Sequence, residues 1–248
     1  MTQFNRPKKS LGQNFLQSKS IVNRIIKAAA ITPKDHVIEI GPGRGILTEE
    51  LALAAKSVTA IELDSDLIPA LRKRLPKNVE ILHENALDFI PPKTAAYKIV
   101  ANIPYYITSP LIRHFLTQPN PPKTLTLLVQ KEVAEKICTQ PPDSILALQT
   151  QLYATPRLAF QVTAKHFQPK PKVDSAVIHL ETLAKTARPK NPEQILALAK
   201  QAFSQKRKML SNTLRDHRDR LTELGLQDKR PEHLSIKDWE KLAEQDDL

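Results

Sequence analysis

Short apolar runs alternate with amphipathic stretches along the first part of the chain. The runs at 36–40, 58–62 and 99–101 have the length and composition of buried strands. The stretch 18–30 repeats Ile and Ala at helical spacing, which predicts a helix with one apolar face. Because strands and helices alternate, we predict a parallel, doubly wound α/β sheet.

The same pattern continues to about residue 180. It predicts further helices over 46–55, 66–74 and 108–116 and from Lys131 on, and further strands over 79–82, 125–129, 158–162 and 176–180. The last two of these strands are expected to form a closing, hairpin-like pair.

Beyond this region the patterns are all helical. Segment 185–192 is polar and contains two prolines, and we interpret 185–191 as a linker. Helical patterns then cover 192–203, 206–214, 218–224 and 235–243, and Gly225 stands where a helix C-cap is expected. We therefore predict an α/β domain over 1–184 and a small all-helical domain over 192–248.

The composition is that of a globular protein, with 41% hydrophobic and 25% charged residues among 248. There is no apolar run long enough for a membrane span, and the first residues have no apolar signal core. The single cysteine, Cys138, indicates a reducing compartment, so we expect a cytoplasmic protein. The seven histidines of the chain show no metal-ligand spacing, and no metal is expected.

A net charge of +11 predicts an anionic partner, and nucleic acid is the usual one. The basic residues are concentrated in three places: within 1–35, within 200–220, and at Lys165, Lys170 and Lys172. A lysine-rich face can also serve solubility alone. Three local excesses in one chain favour the nucleic-acid interpretation.

Three of the five glycines fall in one loop, Gly41-Pro42-Gly43-Arg44-Gly45, between a predicted strand and helix. Such a loop marks a nucleotide or cofactor site, and Glu62, at the end of the next strand, suits a ribose clamp. A dinucleotide and S-adenosyl-L-methionine are the competing cofactors. The G-x-G-x-G spacing favours the second, as does Glu39, whose carboxylate suits a cationic amino-acid tail.

A second group of polar residues, Asn102-Ile103-Pro104-Tyr105, follows the strand at 99–101. The Asn102 amide oxygen and a backbone carbonyl can together accept two hydrogen bonds from one exocyclic amine. A tyrosine ring offers a stacking face to a base. These are the groups needed to hold a flipped adenine, although a strand-end turn would also explain the tetrapeptide.

Seven motifs occur in a characteristic order. They are Gly12-Gln13-Asn14-Phe15-Leu16, the segment 37–45 that ends with the glycine loop, Ile61-Glu62-Leu63-Asp64, Asn102-Ile103-Pro104-Tyr105, Gln130-Lys131-Glu132-Val133, the segment 167–177 that begins Phe167-Gln168-Pro169-Lys170, and the segment 202–214 that contains Lys206-Arg207-Lys208. In this order they closely resemble the KsgA-type small-subunit ribosomal RNA adenine N6-dimethyltransferases, across nearly the whole chain.

The resemblance implies a Rossmann-like class I methyltransferase sheet with a small helical C-terminal domain. It implies that two adjacent adenosines near the 3′ end of small-subunit rRNA each receive two methyl groups from S-adenosyl-L-methionine, within a pre-ribosomal small subunit. Segment 1–17 would form a lid that also contacts RNA. A monomer is expected.

Site residues follow from motif position. The expected cofactor-binding residues are Gln13, Asn14, Leu16, Gly41, Gly43, Glu62, Leu63, Asn85, Ala86 and Asn102. The expected catalytic residues are Asn102, Ile103, Pro104, Tyr105 and Phe167, with Tyr105 and Phe167 stacking on the two faces of the adenine; Tyr106 is a weaker candidate for the second face. The expected RNA-binding residues are Lys8, Lys9, Lys170, Lys172, Lys206, Arg207 and Lys208.

One departure from the family pattern concerns the cofactor. Asn85 stands where the family usually has aspartate, so it can still accept a hydrogen bond but has no charge. We expect slightly weaker cofactor binding as a result. Two other functions stay open: dimethylation of large-subunit rRNA, as in the erythromycin-resistance type, and a non-catalytic role in ribosome assembly.

Overall fold

The computed structural model describes residues 7–92, 96–205 and 207–244 and contains a seven-stranded mixed sheet. The strands are β1 (Phe15–Leu16), β2 (His36–Ile40), β3 (Ser57–Glu62), β4 (Val79–His83), β5 (Tyr97–Asn102), β6 (Thr124–Gln130), β7 (Ala154–Val162), β8 (Phe167–Gln168) and β9 (Ser175–Thr182). The helices are α1 (Lys19–Ala28), α2 (Ile46–Ala54), α3 (Ile68–Arg74), α4 (Thr108–Leu116), α5 (Lys131–Cys138), α6 (Ile145–Tyr153), α7 (Pro192–Phe203), α8 (Leu210–Thr213), α9 (Arg218–Glu223) and α10 (Ile236–Ala243).

The sheet has the order β4-β3-β2-β5-β6-β9-β7. Strands β2 to β6 pair in parallel, and β9 is antiparallel to β6. This confirms the predicted α/β class and the adjacent closing pair, β9 and β7. The register aligns Ile40 with Ile61 on one side and with Ala101 on the other. The residues that follow these three strands therefore meet at one edge of the sheet.

The chain divides into two compact units at boundaries that differ from the predicted ones. One unit contains residues up to 134 together with 157–182, and the other contains 135–156 together with the residues from 183 on. Helix α6, which no pattern predicted, belongs to the second unit, where the Tyr153 hydroxyl donates to Glu193 Oε1 of α7 at 3.0 Å. The predicted linker 185–191 also belongs to this unit and contains the 3-10 turn Lys185–Ala187.

The helices of the second unit pack around aromatic residues. The rings of Phe203 on α7 and Trp239 on α10 stack with centroids 6.2 Å apart, and Trp239 is fully buried. Helix α10 begins with a capping box between Ser235 and Asp238. Gly225 follows α9 with φ of 64°, which confirms the predicted C-cap.

The predicted helix 206–214 is shorter in the structure. Helix α8 begins at Leu210, and Lys206 lies outside the described residues. The two-residue strands β1 and β8 were not predicted, because strands this short have no period to detect. Within the described ranges, no helix is long and apolar enough to cross a membrane.

Candidate functional site

The glycine loop after β2 turns sharply at the carboxyl edge of the sheet. Gly41, Gly43 and Gly45 have φ of 68°, 57° and 77°, in the left-handed region that disfavours residues with a side chain. A Cβ added to Gly43 would lie 2.9 Å from Cδ1 of Phe15. The loop therefore requires glycine for its backbone and, at Gly43, for close contact with an aromatic ring.

Glu62, the last residue of β3, is fixed beside this loop. Its Oε2 accepts a hydrogen bond from the Gly43 amide at 3.0 Å, and its Oε1 accepts one from the Asp64 amide at 2.8 Å. Burial raises the pKa of Glu62, and these two amides act against that rise. The carboxylate is thus oriented at the point where a Rossmann-like site binds ribose hydroxyls.

Glu39, inside β2, is the most deeply buried carboxylate of the site, with 1% of its surface exposed. Burial raises the pKa of Glu39 to about 8, and the charge of Glu62 acts in the same direction. Within the described part of the chain, Oε2 of Glu39 has no hydrogen-bond partner. An unpartnered buried carboxylate oxygen is costly and suits a cationic ligand group.

These residues line one cavity that is open to solvent. The predicted residues that line it are Gln13, Asn14, Leu16, Gly41, Gly43, Glu62, Leu63, Asn85, Ala86, Asn102, Ile103, Pro104 and Tyr105. The structure therefore brings together every predicted cofactor residue and all but one of the predicted catalytic residues.

Residues 11–16 line one side of this cavity, and residues 8–16 together are called the wall segment below. Its end, β1, pairs with β8 in antiparallel register, Phe15 with Gln168 and Leu16 with Phe167. The guanidinium of Arg44 lies 4.7 Å from the centre of the Phe15 ring. The wall segment is therefore held against the glycine loop by its own aromatic residue.

Polar contacts to Asp64 hold the beginning of the wall segment. Lys8 Nζ lies 2.6 Å from Asp64 Oδ1 and 2.7 Å from Asp66 Oδ2. Gln13 Nε2 donates to Asp64 Oδ2 at 2.7 Å, while its Oε1 accepts from the Lys8 amide at 2.7 Å. Burial alone would raise the pKa of Asp64, but the hydrogen bonds from Lys8 and Gln13 outweigh it and lower that pKa.

These contacts give Lys8 a structural role that the sequence did not predict. Its ammonium is paired with two carboxylates, and the hydrogen bonds to Asp64 and Asp66 raise the pKa of Lys8. In the structure Lys8 holds the wall segment, and its contact with RNA stays a prediction.

Asn102 connects the two sides of the cavity. Its Nδ2 donates to the backbone carbonyl of Asn14 at 3.2 Å, and Nδ2 of Asn14 donates to the carbonyl of Gly12 at 3.2 Å. The amide orientation of Asn102 is thereby set, because its nitrogen is taken by the wall segment. Its oxygen is left for a ligand donor.

The neighbouring Tyr105 is fixed through its hydroxyl, which lies 2.7 Å from the Ser175 Oγ of β9. Burial raises the pKa of Tyr105, so its phenol is neutral at physiological pH. The Ile103 side chain is 2% exposed and anchors the turn in the core. The tetrapeptide therefore has an apolar anchor, a tethered ring and an oriented amide.

Asn85 makes two local hydrogen bonds. Its Oδ1 accepts from the Leu87 amide at 3.1 Å, and its Nδ2 donates to Asp88 Oδ2 at 2.9 Å. The amide is therefore oriented with its oxygen toward its own backbone, as in an Asx turn. The second lone pair of this oxygen can still accept a hydrogen bond from a ligand.

Phe167 is the predicted catalytic residue that the structure places elsewhere. It is 4% exposed and belongs to a core cluster with Leu16, Val22 and Val177. It does not line the cavity, because its strand β8 pairs with β1 and its ring packs in that core. The stacking role predicted for it is not supported by this position.

Four of the remaining RNA-binding candidates are exposed in the structure. Lys170 and Lys172 are exposed in the first unit, and Arg207 and Lys208 are exposed in the second. Lys206 and the side chain of Lys9 lie outside the described residues. No group of three or more His, Cys, Asp or Glu side chains suited to a metal ion occurs in the ranges that the structure describes.

Sequence reasoning missed several residues that line the cavity. They are Leu11, Gly12, Ile40, Pro42, Arg44, Ile46, Leu47, Ile61, Glu84 and Ile107. One signal was present for Gly12, since glycine is scarce in this chain and Gly12 precedes the Gln13-Asn14-Phe15 motif. The structure gives Gly12 a φ of 60° and packs it against the ring of Tyr106.

A parallel sheet whose glycine loop, strand-end carboxylate and strand-end asparagine share one cavity is the arrangement of Rossmann-like methyltransferases. Residues 4–244 match the family model described as "Ribosomal RNA adenine dimethylase". The chain belongs to this family.

Relatives in sequence and in structure agree with this assignment. "Ribosomal RNA small subunit methyltransferase A" of Clostridium botulinum is 39% identical, over 95% of this chain and 92% of its own. The protein of the same name from Acaryochloris marina is 39% identical, over 96% of this chain and 97% of its own.

Two solved structures have the same fold. A dimethyladenosine transferase from Plasmodium falciparum superposes with a TM-score of 0.79 at 28% identity, over 92% of this chain and 95% of that one. The 23S rRNA methyltransferase ErmE superposes with a TM-score of 0.77 at 29% identity, over 93% of this chain and 98% of that one.

Proposed function

We propose that this protein transfers methyl groups from S-adenosyl-L-methionine to N6 of two adjacent adenosines near the 3′ end of small-subunit rRNA. One observation supports this most strongly. The Asn102 amide nitrogen is held by the wall segment, and Asn102 lines the same cavity as the glycine loop and Glu62, so its oxygen is available to a ligand bound there.

The cavity residues fit this cofactor. Glu62 would bind the ribose hydroxyls, and the loop at Gly41 and Gly43 would allow close approach of the ligand. The ammonium of the methionine tail would favour the ionised form of Glu39 and would bind its buried, unpartnered Oε2, directly or through water. Leu63 and Ala86 would contact the adenine ring of the cofactor, and Asn85 Oδ1 would accept a hydrogen bond from the amine of that ring.

The protein residues would activate the target amine through hydrogen bonds. An adenine amine is a poor nucleophile because its lone pair is delocalised into the ring. Asn102 Oδ1 and the Ile103 carbonyl would accept its two hydrogens and draw the nitrogen toward tetrahedral geometry, while Tyr105 stacks on the base. When bound, the cofactor supplies a methyl group activated by its positive sulfur.

The rate would come from positioning and electrostatics, since no strong base is required before transfer. After the first methylation only one N–H remains on the amine. The pocket must then accept a methyl group in place of a hydrogen, with one of the two acceptors left without its donor.

Exposed basic residues would bind rRNA phosphates. Lys170 and Lys172 in the first unit and Arg207 and Lys208 in the second are available for this role, and Lys206 is proposed from sequence alone. We expect the partner to be a pre-ribosomal small subunit in the cytoplasm and the protein to act as a monomer. Charge reversal of Arg207 and Lys208 should weaken subunit binding and reduce its salt dependence, whereas an unchanged salt slope would exclude this contact.

The function is tested by incubation of the protein with labelled S-adenosyl-L-methionine and undermethylated small subunits, large subunits or naked rRNA, followed by digestion to nucleosides. Dimethyladenosine in the small-subunit rRNA alone is the expected result. Label in large-subunit rRNA would instead favour the activity of the structural neighbour ErmE. Tight small-subunit binding without transfer would favour an assembly role.

A further inference from the structure

Tyr106 is an aromatic residue at the cavity for which the mechanism above has no role. It follows Tyr105 in the 3-10 turn Tyr105–Ile107 and lines the same cavity. Unlike the tethered ring of Tyr105, its side chain is 61% exposed. Because the ring is both exposed and part of the cavity lining, it is accessible to a ligand that binds there.

The position of this ring is fixed by the wall segment. A Cβ built on Gly12 would lie 3.3 Å from Cε1 and 3.4 Å from Cδ1 of Tyr106. One edge of the ring therefore packs against the backbone at Gly12, and the rest of the ring stays open to solvent. Because packing already orders the ring, a base that stacks on it meets little further entropic cost.

The covalent structure of the substrate places a second base near this ring. Two adjacent adenosines are joined by one phosphodiester, so when one base enters the cavity beside Tyr105 its neighbour must stay near the mouth. Tyr105 and Tyr106 are likewise consecutive in the chain, with one inside the cavity and one at its mouth. An exposed aromatic face is a suitable stacking platform for any base, and purines offer it the larger face.

We infer that Tyr106 stacks on the nucleotide adjacent to the adenosine whose amine is held by Asn102. This inference rests on the proposed function. It makes Tyr106 a substrate-contacting residue that favours a purine beside the target, which is the context that a pair of adjacent adenosines provides. Phe167 cannot supply this face, because it is buried in the core.

The inference is tested with small subunits reconstituted with rRNA that has one target adenosine and adenosine, guanosine or uridine at the other position of the pair. Two series are made, so that each adenosine serves once as the target. The wild type is expected to have a kcat/KM on the order of tenfold higher with a purine neighbour than with uridine, in at least one series.

Substitution at Tyr106 separates stacking from packing. Tyr106→Phe should keep the purine preference. Tyr106→Leu, which retains an apolar contact for Gly12 but has no aromatic face, should abolish it with cofactor affinity unchanged. Leu53→Ala, at a site 81% exposed on α2, is the control that should change neither quantity.

The possible failures are distinguishable. An active wild type without a neighbour preference in either series would overturn the inference but not the proposed function. A purine preference that survives in Tyr106→Leu would also overturn it, as would a change in cofactor affinity alone, which would make Tyr106 an anchor for the wall segment. No methylation by the wild type in any series would overturn both.

Discussion

The two sides of the cavity are held in place by different kinds of interaction. The sheet edge that presents Gly41, Glu62 and Asn102 is fixed by a continuous parallel ladder, in which Ile40 pairs with both Ile61 and Ala101. The wall segment has no such ladder and is held by the two-residue strand β1, by a few polar side-chain contacts and by the packing of Phe15 and Leu16. Segments with few backbone hydrogen bonds open at lower free energy than core strands. We therefore expect the wall segment to open while the sheet edge stays formed.

This difference suits a site that must admit a ligand without losing its geometry. The groups expected to bind the cofactor most tightly, Glu39 and Glu62, are on the rigid side. The wall segment contributes the carbonyl of Asn14, which orients Asn102. Opening of the wall segment would therefore release Asn102 as well as the cavity, and closure would restore both.

The largest effect is expected at Asn102, where the two sides meet. Asn102→Ala removes the acceptor for the target amine, and loss of one oriented hydrogen-bonding group of this kind costs about 10²–10³ in turnover. Cofactor affinity, measured by calorimetry, should change far less. Unchanged methylation by this variant would contradict the role assigned to Asn102.

A substitution at Gly43 tests the contact between loop and wall segment. Gly43→Ala adds left-handed strain and places a Cβ 2.9 Å from the Phe15 ring. To relieve this close contact, the loop or the wall segment must shift, and active sites are sensitive to small displacements of their residues. We therefore expect cofactor affinity to fall roughly tenfold or more.

Gly225→Ala is the matched control for this substitution. Gly225 has a similar φ of 64°, but a Cβ there meets nothing within 4 Å. This control should lose about 1–2 kcal/mol of stability through the backbone alone and keep its cofactor affinity. Equal effects of the two variants on cofactor binding would show that steric contact with Phe15 is unimportant.

A smaller effect is expected at Lys8, on the less rigid side. Lys8→Met retains the aliphatic stem and removes the ion pairs with Asp64 and Asp66. Cofactor affinity should fall a few-fold, and amide exchange should increase across residues 8–16 but not in β2 or β3. Because exposed ion pairs are screened by salt, the difference from the wild type should shrink as salt is added. Lys172→Met, at an exposed site, is the control.

A separate effect is expected in the pH dependence of stability, through Glu39 on the rigid side. Its pKa of about 8 lies above the ordinary value of 4.5, so the folded state binds the proton more tightly than the unfolded chain does. Stability is therefore highest below pH 4.5 with respect to this group and is lost as the pH rises toward 8. Without cofactor, the wild type should lose on the order of 1 kcal/mol of stability per pH unit through this group. Glu39→Gln should not show this loss. Urea unfolding at several pH values measures it, and parallel curves for the two proteins would contradict the shift.

Prediction from sequence succeeded where a residue is placed by a local pattern. Gly41, Glu62 and Asn102 each follow or end a strand with a clear apolar run, so their meeting at one edge follows from the parallel sheet. The sequence did not show that Phe167 packs in a core cluster, since no local pattern shows on which face of a two-residue strand a ring will pack. It also did not predict helix α6, whose membership of the second unit depends on contacts with α7 that are distant in sequence.

Periodicity and motif spacing were enough to predict the α/β class, the family and the residues at the ends of the strands, because both are local properties of the chain. The folded chain was needed to show that Lys8 pairs with Asp64, that Asn14 orients Asn102, and that Tyr106 is open at the cavity mouth while Phe167 is buried. A side chain's partner depends on which distant segments are brought together, and the backbone pattern near a residue carries no information about that.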